Sequence, residues 1–213
     1  MYKAPRGTAD ILPEEQHYWL YVQERAISLC QIYGYERIDT PAFEDANLFD
    51  RGMAGETDVV DKEMYIFEDR GGNSLALRPE GTAPVCRAYL QHGLSNLPQP
   101  VKLYYLITAF RYERPQAGRY RQHHQFGFEA IGADDPALDA EIIEMAWRFC
   151  SSMEMGDLSL LLNSIGCREC RPGYVQALRD YYTGFADLLC ADCGVRLKRN
   201  PLRLLDCKTP SCQ

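Results

Sequence analysis

Residues 101–131 read VKLYYLITAFRYERPQAGRYRQHHQFGFEAI, and the alternation within them decides the architecture. Val101 to Phe110 is a β-branched and aromatic run that predicts a strand. Residues 115–120 carry proline and glycine turn chemistry, and residues 123–131 alternate as a returning strand. The expectation is a long antiparallel hairpin. Side chains of a strand alternate faces with a period of two, so Arg111 and Glu113 share one face, as do His123, Gln125, Gly127 and Glu129 on the return. In register, one floor would carry a cation, two carboxylates and an amide. Gly127 would leave space there for something to lie against the backbone.

Arg111-Tyr112-Glu113, a loop, and an aromatic four residues beyond Arg119 together resemble motif 2 of class II aminoacyl-tRNA synthetases. The longer string RYERPQAGRYRQHHQ, with LRPEGTAPVCRA at 77–88, is similar to histidyl-tRNA synthetases in particular. Arg6-Gly7-Thr8-Ala9-Asp10 with Pro13 near the start, and Asn200-Pro201-Leu202-Arg203 near the end, extend the resemblance over the whole chain. It implies activation of L-histidine by ATP with Mg2+ and transfer to tRNA(His). The family's motif 3, its histidine-specific motif and its anticodon-binding domain have no counterpart in these 213 residues. The chain alone is therefore expected to show little or no pyrophosphate exchange. A non-catalytic relative, the synthetase-like regulatory subunit of ATP phosphoribosyltransferase, is the alternative; Glu113 and the arginine-rich loop favour the enzyme.

Activation brings the amino-acid carboxylate to the α-phosphate, so two anions must approach while charge builds on the departing pyrophosphate. Arginine's planar fork suits phosphate bidentately, which makes Arg111 the residue expected at the α-phosphate. Arg119 suits the outer phosphates, which Mg2+ would also neutralise. The resemblance places Glu113 at the adenine amino group, Glu129 at a ring N–H of histidine, and Gln125, Glu80 and Thr82 at its α-ammonium group. His123 stands where the motif usually has a phenylalanine stacked on adenine; an imidazole is also flat. Glu80 has a plainer reading too, as a carboxylate beside a helix N-terminus.

Composition is ordinary for a globular chain, 46% hydrophobic and 25% charged, with net charge −7. Any tRNA contact must then come from a local patch, for which Arg114, Arg119 and Arg121 are the candidates. No apolar run approaches the roughly 18 residues of a membrane span and the N-terminus has no signal-peptide core, so a cytoplasmic location without membrane contact is expected.

Nine cysteines are many for such a chain, and six fall between Cys167 and Cys212. Cys167-x-x-Cys170 follows the apolar run at 158–163, and Cys207-x4-Cys212 follows the run at 202–205. If both runs are neighbouring strands in one direction, Cys167, Cys170, Cys207 and Cys212 meet at one sheet end as ligands of a structural Zn2+. Cys190-x-x-Cys193 competes for that role, and free thiols are the plain alternative.

Elsewhere the pattern predicts an α+β fold, an antiparallel sheet flanked by helices, as in part of a class II synthetase core, with 1–213 one unit. Trp19, Val22, Ala26, Leu29, Cys30 and Tyr33 mark a helix that stops at Gly34. Residues 36–40 should be a strand ended by Pro41. This helix and strand resemble motif 1, which implies a homodimer through that region. Residues 45–62 read as a mobile loop, and Asp69 to Asn73 turns a second hairpin. Thr82 is suited to cap a helix with Val85, Cys86, Tyr89 and Leu90 inward. Asp135-Pro136 opens another helix, and Tyr174, Leu178, Tyr181, Phe185 and Leu188 predict a helical core stripe. His17, His92 and His124 read as ordinary surface or core residues.

Overall fold

The structure, a computed structural model, describes residues 2–52, 64–112, 118–164 and 166–212. The chain divides into two compact units, 1–159 and 160–213.

The first unit is built on the hairpin. β5 (Val101–Phe110) and β6 (Gln122–Ile131) pair antiparallel over their full length, with Val101 opposite Ile131 and Phe110 opposite Gln122. Alternation gives this ribbon two dissimilar faces. On one, Val101, Leu103, Tyr105 and Ile107 pack with Val85 and Tyr89 of α3 (Thr82–Gln91). On the other, Tyr104, Phe126 and Phe128 meet Cys30 and Ile27 of α1 (Gln16–Ile32) and Met145 of α4 (Pro136–Ser152). β1 (Glu36–Arg37) adds to β5 in parallel, with Glu36 opposite Leu103.

The ends of these helices follow from single residues. α1 closes on Gly34, whose φ of 75° is left-handed. The Tyr35 amide reaches the Cys30 carbonyl at 2.9 Å and the Gly34 amide reaches that of Gln31 at 3.2 Å, satisfying two carbonyls the last turn would leave unpaired. Asp135 caps α4 by accepting from the Ala137 amide at 2.9 Å, with Pro136 in the first turn. Lys102 at the start of β5 pairs with Glu141 of α4 at 2.8 Å, and the Tyr35 hydroxyl donates to the same carboxylate.

A second sheet in the order β2-β4-β3 comprises β2 (Phe43–Asp45), β4 (Ser74–Leu77) and β3 (Ile66–Glu68). The Asp69 to Asn73 hairpin forms as expected: the Asp69 carboxylate accepts from the Gly71 and Asn73 amides and from the Asn73 side chain. The loop expected at 45–62 begins instead as α2 (Ala46–Gly52), because Phe49 is fully buried against Ala46 and Ala76. The remainder of that stretch, 53–62, lies outside the described residues.

The two sheets of this unit meet at Arg78. Only 7% exposed, its guanidinium donates to the carbonyls of Thr108 (2.9 Å), Thr40 (2.6 Å) and Pro41 (3.1 Å). Its own amide donates to the Ala42 carbonyl and its carbonyl accepts from the Phe110 amide. α3 buries Val85, Ala88 and Tyr89, but Cys86 and Leu90 face outward rather than inward.

In the second unit, α5 (Cys170–Thr183) and α6 (Ala191–Arg199) are joined through a 3-10 turn at Ala186–Leu188. The two strands expected here do not form: residues 158–163 have no regular structure, and Pro201–Asp206 is a 3-10 helix opened by its proline. Nor is the expected stripe core, since Tyr174 and Tyr181 of α5 and Leu188 of the following turn are each more than half exposed. Its buried cluster is Cys193, Leu204, Cys207 and Cys212.

Gly127 faces Tyr105 across the ladder, and the space its missing side chain leaves is filled by that tyrosine's ring rather than by open cavity. A Cβ at Gly127 would sit well inside van der Waals contact with the ring, and one at Gly81 would do the same from the helix side. Gly127→Ala is expected to cost about 1–3 kcal/mol through overpacking. Urea unfolding checks this, and a loss below ~0.5 kcal/mol would show that the ring can move aside.

Candidate active site

The polar residues of the hairpin fall on the face that carries Tyr105. Ala109 is opposite His123, Ile107 opposite Gln125, Tyr105 opposite Gly127 and Leu103 opposite Glu129. The Arg111 amide continues the ladder to the Arg121 carbonyl at 2.9 Å. Arg111, two positions beyond Ala109, therefore shares that side, and its Nε donates to the Pro79 carbonyl at 3.0 Å. Three residues along, the Thr82 hydroxyl donates to Glu129 Oε1 at 2.8 Å, and the Tyr105 hydroxyl donates to the same oxygen at 3.2 Å. The segment 79–82 thus touches both ends of the row.

Glu80 is engaged where that segment enters α3. One carboxylate oxygen accepts from the Thr82 amide and the other from the Ala83 amide at 2.9 Å, so Glu80 caps the helix. Thr82 was the expected cap; as the first helical residue it turns its hydroxyl to Glu129 instead. A carboxylate has about four acceptor directions, and two remain on Glu80 beyond the amides.

Burial raises the pKa of Glu129, opposed by the hydrogen bonds from Thr82 and Tyr105. Burial raises that of Tyr105 as well, which keeps its hydroxyl a donor. Gln125 Oε1 is buried with no hydrogen-bond partner among the described residues. A buried amide oxygen without a donor is costly, and it is the kind of group a bound N–H or ammonium would satisfy.

The loop side of the site rests on the N-terminal arm. The Gly7 carbonyl accepts from the Arg121 amide at 2.7 Å and the Gln122 amide at 3.3 Å. The Arg121 guanidinium lies 4.1 Å from the centroid of the Tyr112 ring, which meets Tyr65 edge-on. Arg119 is exposed beside this base. Glu113 and Arg114 lie outside the described residues. His124 is on the opposite face against Trp19, ring centroids 4.4 Å apart.

Two residues of this site escape a motif-led reading. Tyr105 could have been found from register, because an aromatic opposite a glycine is a recurring cross-strand pair. Arg78 carries no comparable signal: nothing in LRPEGT tells a buried strut from a surface charge.

The cysteines assemble differently from the expected set. Cys207 and Cys212 are joined by Cys190 and Cys193, all four sulfurs within 4.8 Å of one another. Cys167 and Cys170 instead pair with each other at 3.5 Å on an exposed turn leading into α5. The reason is the missing strands: a 3-10 helix at Pro201–Asp206 returns the chain to the start of α6, not to the turn before α5.

Comparison with known proteins accords with this geometry. The sequence profile of the histidyl-tRNA synthetase family matches residues 7–169. A histidine–tRNA ligase of Dehalococcoides mccartyi is 65% identical over all 213 residues, which make up 51% of that protein. One from Desulforudis audaxviator is 56% identical over 98% of the chain and 50% of its own length. The chain thus spans about half the length of the curated relatives it matches. Apo histidyl-tRNA synthetase of Staphylococcus aureus superposes with a TM-score of 0.76 at 40% identity, covering 99% of this chain and 49% of that one. A Bacillus halodurans ATP phosphoribosyltransferase regulatory subunit/histidyl-tRNA synthetase, at 22% identity and TM-score 0.66 over 97% of this chain and 56% of its own, shares the fold. Among the described residues, no helix is long and apolar enough to cross a membrane.

A carboxyl whose pKa is raised by folding stabilises the protein when protonated, and that contribution is lost as pH rises through the folded value. Glu129→Gln keeps an acceptor for the Thr82 and Tyr105 hydroxyls without the buried charge. Its stability relative to the unsubstituted protein is therefore expected to increase between about pH 3.5 and pH 7. Urea unfolding at both ends of that window measures it; a difference independent of pH would contradict the raised pKa.

Proposed function

The chain belongs to the histidyl-tRNA synthetase family, and from that premise we propose that it supplies the face on which histidine is activated by ATP before transfer to tRNA(His). The observation that carries this reading is the polar row opposite α3: a half-buried carboxylate at Glu129, an unsatisfied amide oxygen at Gln125 and a guanidinium at Arg111, on one side of one ribbon.

Each group has a role its chemistry suits. Histidine offers an ammonium at one end and ring N–H donors at the other, and the row offers acceptors for both. Glu129 accepts a ring N–H, while Gln125 and the remaining oxygen directions of Glu80 receive the ammonium. The Thr82 hydroxyl holds Glu129 in place, and its amide donates to the Glu80 carboxylate. A site whose acceptors expect those bonds rejects apolar analogues, because binding one leaves buried polar groups unpaired.

Arg111, braced by the Pro79 carbonyl, faces the α-phosphate and the negative charge that grows as the carboxylate attacks and pyrophosphate leaves. Arg119 serves the outer phosphates, Glu113 the adenine amino group, and His123 offers a flat ring to the base. Among the described residues, no group of three carboxylate or histidine ligands is gathered on this face. Mg2+ would be held mainly by phosphate oxygens and water, with at most one or two carboxylates from the chain, and the arginines would supply further positive charge. Arg119 and Arg121 supply local positive charge for tRNA on a chain of net charge −7, and Arg114, outside the described residues, is the third candidate. A homodimer through the helix α1 and strand β1 region completes the proposal. The 65% and 56% identities to histidine–tRNA ligases favour the ligase over the regulatory-subunit alternative.

In a full-length synthetase carrying this segment, Glu129→Ala is expected to weaken histidine binding at least about ten-fold, some 1.4 kcal/mol, while ATP affinity changes less than about three-fold. Calorimetric titration with each ligand separates the two. Equal losses for both would remove Glu129 from the histidine site.

A further inference from the structure

We propose that Cys190, Cys193, Cys207 and Cys212 bind one zinc ion in a closed tetrathiolate site that forms the core of the 160–213 unit. The geometry is close to what the ion requires. Zinc–sulfur bonds of about 2.3 Å in a tetrahedron put the sulfurs about 3.8 Å apart. Here all four lie within 4.8 Å of one another, and Cys190 Sγ is 4.0 Å from Cys207 Sγ. No pair is bonded as a disulfide.

The backbone is arranged for charged sulfur as well as for proximity. The Cys190 amide donates to Cys212 Sγ at 3.2 Å and the Thr209 amide donates to Cys207 Sγ at 3.4 Å. Such N–H···S bonds orient and stabilise thiolate ligands. Cys190 precedes the first turn of α6 and Cys193 lies within it, so the positive end of that helix faces the cluster from one side. The Gly194 amide closes this knuckle on the Cys190 carbonyl at 2.9 Å. Cys207 and Cys212 come from the other side, one just past the 3-10 helix at Pro201–Asp206 and one at the end of that at Pro210–Cys212.

Energetics call for a cross-link at this position. α5 contributes no buried residue, and the unit's buried cluster is three cysteines with Leu204. A unit this small seldom holds together on apolar burial alone, and thiols packed on thiols supply little of it. A metal bound only by the folded form contributes its binding free energy to folding, with the displaced thiol protons released to solvent. Four soft thiolates in a tetrahedron select zinc or iron over magnesium or calcium. Cys193, Cys207 and Cys212 are buried, so the ion would have no position left for water or substrate, a structural arrangement. The role the unit requires is a cross-link, which a closed-shell ion of tetrahedral preference supplies without redox chemistry; we therefore assign zinc.

The test is metal analysis of the full 213-residue chain purified under reducing conditions. About one zinc per chain is expected, released together with four mercurial-reactive thiols. Cys193→Ser/Cys207→Ser should lower zinc content at least about ten-fold, and Cys167→Ser/Cys170→Ser should leave it unchanged. Should the first variant fail to fold, titration of metal-stripped unsubstituted chain with Zn2+ against a chromophoric chelator still decides, since a tight one-to-one end point is required. Absence of zinc with no such end point, stoichiometric iron in its place, or equal zinc loss in the Cys167/Cys170 variant would each overturn the assignment.

Discussion

The first unit depends on a buried guanidinium. Arg78 gathers the carbonyls of Thr40, Pro41 and Thr108, which belong to the turn before β2 and to β5, and so clamps one sheet to the other. A charge at this depth is tolerated only because its donors meet oriented acceptors, and the same bonds satisfy carbonyls that a neutral residue would leave unpaired. Pro79, Glu80 and Thr82 follow directly. Their contacts with Arg111, with the first amides of α3 and with Glu129 are set by where Arg78 anchors the chain.

Tyr105 performs the complementary task from the sheet. Its ring occupies the space above Gly127 and beneath Gly81, so two glycines allow strand and helix entry to approach, and its hydroxyl supports Glu129. The carboxylate is thus held by two hydroxyl donors in a half-buried setting rather than by a cation. That choice keeps it available: a guanidinium partner would neutralise the charge, whereas hydroxyls orient it and leave an acceptor oxygen for a donor from outside.

The hairpin, its face assignment and the first helix were legible because period-two and period-3.6 patterns are local, and because Gly34 and Asp135-Pro136 are unambiguous punctuation. The row from Arg111 to Glu129 follows from register alone. Less legible were features decided by competition between neighbours. Glu80 and Thr82 are both capable caps, and only the nearby Glu129 decides which side chain turns to the helix. Gly127 signals a missing side chain but not what fills the gap. The apolar runs at 158–163 and 202–205 have strand composition, yet strands need ladder partners, and a proline at 201 with the cysteine cluster draws the second run into a 3-10 turn. Cysteine spacing narrowed the ligand choice without deciding it, since Cys190-x-x-Cys193 and Cys167-x-x-Cys170 are equivalent as strings.

A single carbonyl, that of Gly7, serves two amides at the loop end of the hairpin, and the glycine sits at φ 86° with Arg121's side chain filling the place a Cβ would take. The opening residues of the polypeptide are therefore mechanically coupled to the tip of the ribbon more than a hundred positions away. Any side chain at position 7 would have to displace Arg121 and hold a left-handed backbone, so it is the lack of one that lets arm and ribbon touch.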